Sequence, residues 1–392
     1  MLDFEETEEQ NLLREGISSL ASTFSDEYWR QKDRDSEFPG EYFESLAKNG
    51  WFNLNVPPEF GGAGLGITEV SIAIHEASRK AGMAAGDVIM AICIFAINTI
   101  KRFSKDSIKK KYLPELARGD RIMSFCLTEP EAGVNSLDIA TTAKKDGDGY
   151  LLNGQKVWIT LAHEATLLNV VARTTPKEKA SKRTDGLTLF LVDKKELSRG
   201  EVRTKRIEDI SMRALGSNEV FFDNVWVPEE NIIGEREKGW EVLPPLLNAE
   251  RISTASMSVG VGELVLRKGV EYAKNRRVFS RPIGQNQAIQ FPLARSKADL
   301  ECAWALTQRA AWEYDNSLDC SIAANVAAYT GARAAFFASD RVLQTYGGLG
   351  YSKNSDVERH WRDSRLFRTG PVPEEMVLNF LGQRVLHLPR SY

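Results

Sequence analysis

The stretch Tyr150-Leu151-Leu152-Asn153-Gly154-Gln155-Lys156-Val157-Trp158-Ile159 sets Asn-Gly between two short runs of strand-forming residues. Asn and Gly enter the left-handed backbone of a tight primed turn at least cost, so the stretch predicts a β-hairpin turning at 153–154. Further strand-like runs follow at 167–172, 187–192 and 219–227, apolar or alternating and bounded by Asp, Gly and Asn. Residues 174–185 (TTPKEKASKRTD) are polar and charged and read as an exposed loop. On either side of this middle third the period of the apolar residues changes from two to 3.6. Leu12, Leu13, Ile17, Leu20, Ala21 and Phe24 mark an amphipathic first helix. The turn-rich segment 57–64 precedes a helix through Val70 and Ile74, and 106–116 is another short amphipathic piece. Past residue 238 a long helix runs through Ile252, Ala255, Val259, Leu264 and Val265 towards Tyr272, with Pro244-Pro245 expected in its first turn. Its Gly260 and Gly262 permit a neighbouring helix to come close. Two more bundle helices are expected at 289–314 and 322–346. Helices, then strands, then helices predict an α+β chain of three domains: 1–121 helical, 122–236 a β domain, 237–392 a helical bundle.

Composition bounds the function without naming it. The 392 residues carry 51 Lys+Arg against 54 Asp+Glu, too balanced for a protein that coats nucleic acid. At 42% hydrophobic residues the chain is globular, not disordered. Its 4 Cys form no CxxC and its 4 His show no HExxH, which points away from a disulfide framework and from zinc. The most apolar stretch, 88–100, holds 11 apolar residues and is expected to be too short to span a membrane. The acidic start MLDFEETEEQ resembles neither a signal nor a transit peptide. The expected location is the cytoplasm, or the mitochondrial matrix once a targeting segment has been removed.

Three clusters could carry chemistry. Leu127-Thr128-Glu129-Pro130-Glu131-Ala132-Gly133 is either an ordinary connecting loop or a turn offering a hydroxyl and free N–H groups to a ligand. Trp158 can stack on a planar ring with Thr160 donating to its edge, or can fill the core as most strand indoles do. Asn248-Ala249-Glu250-Arg251 is either a solvated charge pair or, in its apolar surroundings, a carboxylate whose proton affinity is raised enough to act as a base.

Together these stretches resemble one family, the acyl-CoA dehydrogenase flavoproteins, with motifs in the same order over nearly the whole chain. The match runs through Asn55-Val56-Pro57-Pro58-Glu59-Phe60-Gly61-Gly62, then Phe125 to Gly133 and Asn153 to Thr160. It continues through Phe221-Phe222-Asp223-Asn224-Val225-Trp226-Val227-Pro228, Arg276-Arg277-Val278-Phe279, Arg281-Pro282-Ile283-Gly284 and Gln344 to Tyr351. The resemblance implies a helical domain, a β-barrel-like domain and a four-helix bundle, with FAD held between the last two. It further implies a homotetramer in which a neighbouring subunit completes each flavin site, an acyl-CoA substrate, and an electron-transfer flavoprotein as acceptor. Phe125, Leu127, Thr128, Trp158 and Thr160 would line the flavin ring, and Gly133 would also bind the cofactor. Arg276, Phe279, Gln287, Gln344 and Gly348 would hold the adenine and pyrophosphate. Arg251, with Asn248 one turn before it, would lie beneath the acyl-CoA.

In this family a carboxylate removes the proton α to the thioester, and flavin takes the β hydride to leave a trans-2-enoyl product. The usual base is the Glu of a Tyr-Glu-Gly-Thr motif after an Arg-Asp pair. Here Arg362-Asp363 leads instead to Gly370-Pro371, so that glutamate is missing. The isovaleryl-CoA branch carries its base on the long helix immediately before the arginine, where this chain has Glu250. Glu250 is therefore the expected base, with Gly370 leaving room for it. Glu374 and Glu375 are alternatives expected to point away. Val134, Leu161-Ala162, Ser280 and Pro373 also depart from the family pattern. Competing readings are a flavin monooxygenase or oxidase on the same fold, and a base-less acyl-CoA-acting homologue.

Overall fold

The computed structural model describes residues 6–390. Met1 to Glu5 of the acidic start, on which the reading of a leader partly rests, lie outside the described residues. Helical segments come first among the described residues: α1 (Glu8–Ser22), α2 (Asp26–Asp35), α3 (Gly40–Lys48), a 3-10 turn Pro58–Phe60, α4 (Ile67–Ala81), α5 (Met83–Met90), a π-helical stretch Ala91–Asn98, α6 (Thr99–Phe103) and α7 (Asp106–Ala117). α1 begins where Thr7 and Gln10 satisfy each other's backbone N–H groups reciprocally. From Met83 to Phe103 the helix is continuous for 21 residues, longer than the apolar stretch suggests and long enough to cross a bilayer by length and composition. It is instead the core of its domain, with 94% of its apolar window buried in the fold.

The middle domain is an eight-stranded sheet of β1 (Met123–Cys126), β2 (Thr142–Asp146), β3 (Gly149–Thr160), β4 (Leu167–Arg173), β5 (Leu187–Asp193), β6 (Glu201–Arg206), β7 (Ser217–Pro228) and β8 (Ile232–Ile233). The strands run β6-β7-β3-β2-β4-β5-β8, and β1 pairs with β4 in parallel. Inward residues of strands across the sheet, among them Tyr150, Leu168, Phe190, Val220 and Ile232, meet in one core cluster, so the sheet curls around its own side chains. The opposite faces of β4 and β5 present Leu167, Val171, Leu189 and Leu191 to the core of the helical domain. Packed on both faces, these two strands are buried along their whole length and mostly apolar, interrupted by Asn169 and Thr188 and ending in Arg173 and Asp193.

The hairpin expected at 153–154 is not there. β3 passes straight through Asn153-Gly154, and its register against β7 shifts between Leu152 and Gly154, a bulge. Gly154 has φ 152°, and a Cβ on it would lie 2.5 Å from Thr141 Oγ1, so the residue serves close approach within the sheet. The hairpin turns earlier, at Gly147-Asp148, where Asp146 pairs with Gly149.

The last domain contains α8 (Gly239–Asn275), a small hairpin of β9 (Arg277–Val278) and β10 (Arg281–Pro282), α9 (Gln287–Asp315), α10 (Ser321–Tyr346), α11 (Val357–Leu366) and α12 (Glu374–Phe380). α8 starts at Gly239, so Pro244 and Pro245 sit in its second turn and not its first. A Cβ on Gly260 would meet the His75 carbonyl at 2.3 Å, and one on Gly262 would meet Leu300 at 2.4 Å. These two glycines press α8 against α4 and α9 at once, which anchors the helix carrying Glu250 to two domains.

Candidate active site

The loop after β1 is fastened from below. Lys156 of β3 is fully buried; its Nζ donates to Leu127 O at 2.9 Å and pairs with Glu129 at 2.8 Å. Glu129 also accepts the N–H groups of Ala140 and Thr141, at 2.5 and 3.0 Å. Burial raises the Glu129 carboxyl, but Lys156 and these donors outweigh it and hold the group below its ordinary range. Residues 129 and 132 close a tight turn through paired backbone bonds. Beyond it, among the described residues, the N–H groups of Gly133 and Val134 donate to no protein acceptor. Phe125 stacks on Phe95 of the π-helical stretch, rings 5.6 Å apart and 13° from parallel. The loop, the sheet and the first domain are thereby locked to one another.

Trp158 is not a core residue. A second register shift, between Lys156 and Ile159, puts it at φ 62°, and its side chain is 59% exposed. A left-handed tryptophan in a strand is strained, and strain of this kind is kept where surroundings enforce it for a function. The bulge re-aims the indole off the sheet, with Thr160 exposed two residues on and tied to β1 by Ser124, whose hydroxyl donates to Thr160 O at 2.7 Å. Phe125, Leu127, Thr128, Gly133, Trp158 and Thr160 thus belong to one edge of the middle domain.

The second set gathers at one end of the bundle. Tyr272 and Tyr346 stack at 4.1 Å, bringing the C-terminal ends of α8 and α10 together. Arg276, the exposed Phe279 in the β9–β10 turn, and Gln287 at the start of α9 share this end with Gln344 and Gly348, all solvent-facing. Phe279 and Ser280 both have positive φ, the two-residue primed turn that matches strand twist.

Glu250 is buried on α8, 9% exposed, and among the described residues its carboxyl makes no hydrogen bond. Burial raises the group to about 7; Arg251 opposes this and Asp87 adds to it. Arg251 donates to Asn248 Oδ1 at 3.2 Å, one helical turn back. Arg251 and Thr254 line a small cavity with Phe367, Pro371 and Glu374, so α8 faces the segment that lacks the usual glutamate. A Cβ on Gly370 would meet nothing within 4 Å. Glu374 does face this cavity, contrary to expectation, because α12 begins at that residue. Its carboxylate is held by Arg368 at 2.6 Å and Arg333 at 3.4 Å, which keep it below the ordinary range and make it a poor base. Glu375 is exposed. Sequence reasoning missed Asp87, whose one signal is a lone acid inside an apolar helix, and gave no part to the Glu129–Lys156 pair.

A sheet domain that turns an indole outward beside a donor-bearing loop, joined to a bundle with a poised buried carboxyl, is built for a flavin-dependent oxidoreductase. The acyl-CoA dehydrogenase N-terminal, middle and C-terminal domains match residues 7–120, 124–225 and 237–386. The acyl-CoA dehydrogenase FadE12 of Mycobacterium tuberculosis is 36% identical over 394 residues, 99% of each chain. A 3-(aryl)acrylate reductase of Clostridium sporogenes is 34% identical over 92% of this chain and 94% of its own. Among solved structures, butyryl-CoA dehydrogenase from Megasphaera elsdenii superposes with TM-score 0.92 at 27% identity, covering 98% of this chain and all of that one. A glutaryl-coenzyme A dehydrogenase in complex with glutaryl-CoA superposes at 0.93 and 27%, covering 100% and 98%. This chain belongs to the acyl-CoA dehydrogenase family, and it is an FAD-dependent oxidoreductase. The residues present fit that cofactor: an outward indole for the planar ring, and the unclaimed N–H groups of Gly133 and Val134 for its phosphates.

Proposed function

We propose that the enzyme dehydrogenates an acyl-CoA thioester between its α and β carbons to the trans-2-enoyl-CoA, with Glu250 removing the α proton. The observation that carries this reading is the state of Glu250: buried and unbonded on α8, next in the chain to Arg251, which lines the cavity at Pro371 where the usual base is missing, and raised to about 7. A carboxyl so placed holds a proton loosely enough to give it up and strongly enough to take one near neutral pH. Arg251, one residue on, keeps part of its ionised character by opposing the burial effect. When bound, FAD supplies the acceptor for the β hydride. Trp158 and Thr160 would meet its ring, Lys156 and Glu129 would hold the loop against it, and in a homotetramer Arg276 with Gln344 would reach the adenine end of a neighbouring subunit's cofactor. Electrons would then pass to an electron-transfer flavoprotein.

Anaerobic mixing of the holoenzyme with a panel of acyl-CoAs tests this. At least one thioester should bleach the flavin, and Glu250→Gln should slow that bleaching by about 10²–10⁴-fold while leaving FAD content unchanged. Bleaching undiminished by the substitution removes Glu250 from the role of base.

A further inference from the structure

A proton moved onto Glu250 in the reaction proposed above has to leave before the next turnover. The carboxyl is buried and, among the described residues, bonded to nothing, so while a thioester covers the site that proton needs a carrier to solvent. Thr254 lies four residues after Glu250 and three after Arg251, one turn along α8 on the face that both share. Its side chain is 1% exposed, and among the described residues its hydroxyl has no hydrogen-bond partner. Hydroxyls inside helices ordinarily bond to a carbonyl one turn back. Ser253 and Ser256 of the same helix do so, donating to Ala249 O and Ile252 O at 3.0 Å each. Thr254 lines the cavity between α8 and α10 instead. Arg251 lines the same cavity, and its Nε is also buried without an acceptor among the described residues. Glu250 itself does not line it, so Thr254 is the link between the proposed base and this space. Pro371 and Glu374 form the far wall, Pro371 exposed and the Glu374 side chain 15% exposed, which brings that wall to the surface.

The interior of the cavity, about 10 Å³ for the centre of a water-sized sphere, suits a single water, which needs two to four polar partners. Its walls offer three: the Arg251 Nε–H, the Thr254 hydroxyl and the carboxylate of Glu374, which Arg368 and Arg333 keep ionised. We propose that this cavity is a water site and that Thr254 is a relay residue acting through Glu250, its hydroxyl and the water carrying the proton from the base to solvent while the enoyl product is still bound. The O–H bond on Glu250 breaks as its proton passes to Thr254 Oγ1. Thr254 gives its own hydroxyl proton to the water, and the water gives one up to solvent past Glu374. One proton leaves, Glu250 is again a carboxylate, and no electrons move. This inference rests on Glu250 as the base and says how that base is reset.

Hydrogen exchange separates the relay from the chemistry it serves. The holoenzyme, in excess and without an electron acceptor, is mixed anaerobically in D₂O with the acyl-CoA that bleaches its flavin fastest. Reversal of the reaction returns the hydron on Glu250 to the α carbon, so mass spectrometry of the recovered thioester reads how fast that carboxyl exchanges with solvent. Wild type should incorporate α-deuterium. Thr254→Val should lower the ratio of exchange rate to bleaching rate by about tenfold or more, and Thr254→Ser, which keeps the hydroxyl, should restore it. A ratio unchanged in Thr254→Val overturns the proposal, because a general loss of structure slows both rates together and leaves their ratio alone. A crystal structure of the wild-type holoenzyme with no ordered water between Arg251 Nε and Thr254 Oγ1 overturns it as well, and that arm needs neither turnover nor a variant that folds. Failure of the base assignment shows separately, as bleaching that survives Glu250→Gln.

Discussion

Asp87 and Glu250 illustrate how a single carboxyl acquires a function from where its helix is packed. Each is raised to about 7, Asp87 by burial and Glu250 by burial with Asp87 adding to it. As base, Glu250 must be ionised, and kcat/KM should therefore rise with pH through about 7 to a plateau. Asp87→Asn removes the neighbouring negative charge and should move the midpoint of that limb to lower pH; a midpoint unmoved or raised excludes the coupling. The same pair sets a pH slope on stability. Between the ordinary carboxyl range and about 7, the folded chain holds protons that the unfolded chain has released, so stability falls as pH rises through that window. Below it both states are protonated and the penalty vanishes. Melting temperatures of Asp87→Asn and wild type should therefore diverge towards pH 8, the variant being the more stable there. The sequence signals only a lone acid in an apolar helix, because the effect of Asp87 on Glu250 arises from the packing of α5 on α8.

At the scale of elements, what was legible was what burial writes into a period. The runs at 167–172, 187–192 and 219–227 became β4, β5 and β7, and the spacing of Ile252 to Tyr272 became α8. What was not legible was local geometry set from outside. Asn153-Gly154 has the composition of a turn, yet pairing with β2 and β7 on both sides keeps it extended, and the glycine is spent on clearance from Thr141. Trp158 looks like a core indole until a register shift turns it outward. The buried pair Lys156 with Glu129 ties β3 to the loop after β1, beside the bonds from Lys156 to Leu127 O and from the Val157 N–H to Thr128 O. Lys156→Met would leave Glu129 buried without its cation, at a cost of about 3–5 kcal/mol, and would free the Leu127 carbonyl. The expected result is a lower melting temperature and FAD lost on dialysis. Glu129→Gln added to Lys156→Met should recover part of both, since it removes the unpaired buried charge and its amide oxygen can keep one of the two N–H donors of Ala140 and Thr141; no recovery would mean that the ion pair is not what positions the loop.

The whole molecule is organised around surfaces that a single chain leaves open. Phe279 is 94% exposed at the tip of a hairpin whose two turn residues both take positive φ, an expensive way to display one aromatic ring to water. Arg276, Gln287, Gln344 and Gly348 lie at the same end, fastened there by the stacked Tyr272 and Tyr346, and all face solvent. The flavin edge around Trp158 belongs to a different domain of the chain and is equally open. In the proposed homotetramer, these two surfaces come from different subunits, so FAD occupancy and association are one equilibrium. Phe279→Asp should then lower the mass of the particle and its flavin content together, and excess FAD should restore part of both. Light scattering with flavin absorbance across a dilution series reads the two quantities at once. Because Phe279 lies outside the hydrophobic clusters, a folded but flavin-poor small species is the expected product, with its far-UV circular dichroism retained. A small species that keeps its full flavin complement would place the whole cofactor site within one chain and exclude the shared one.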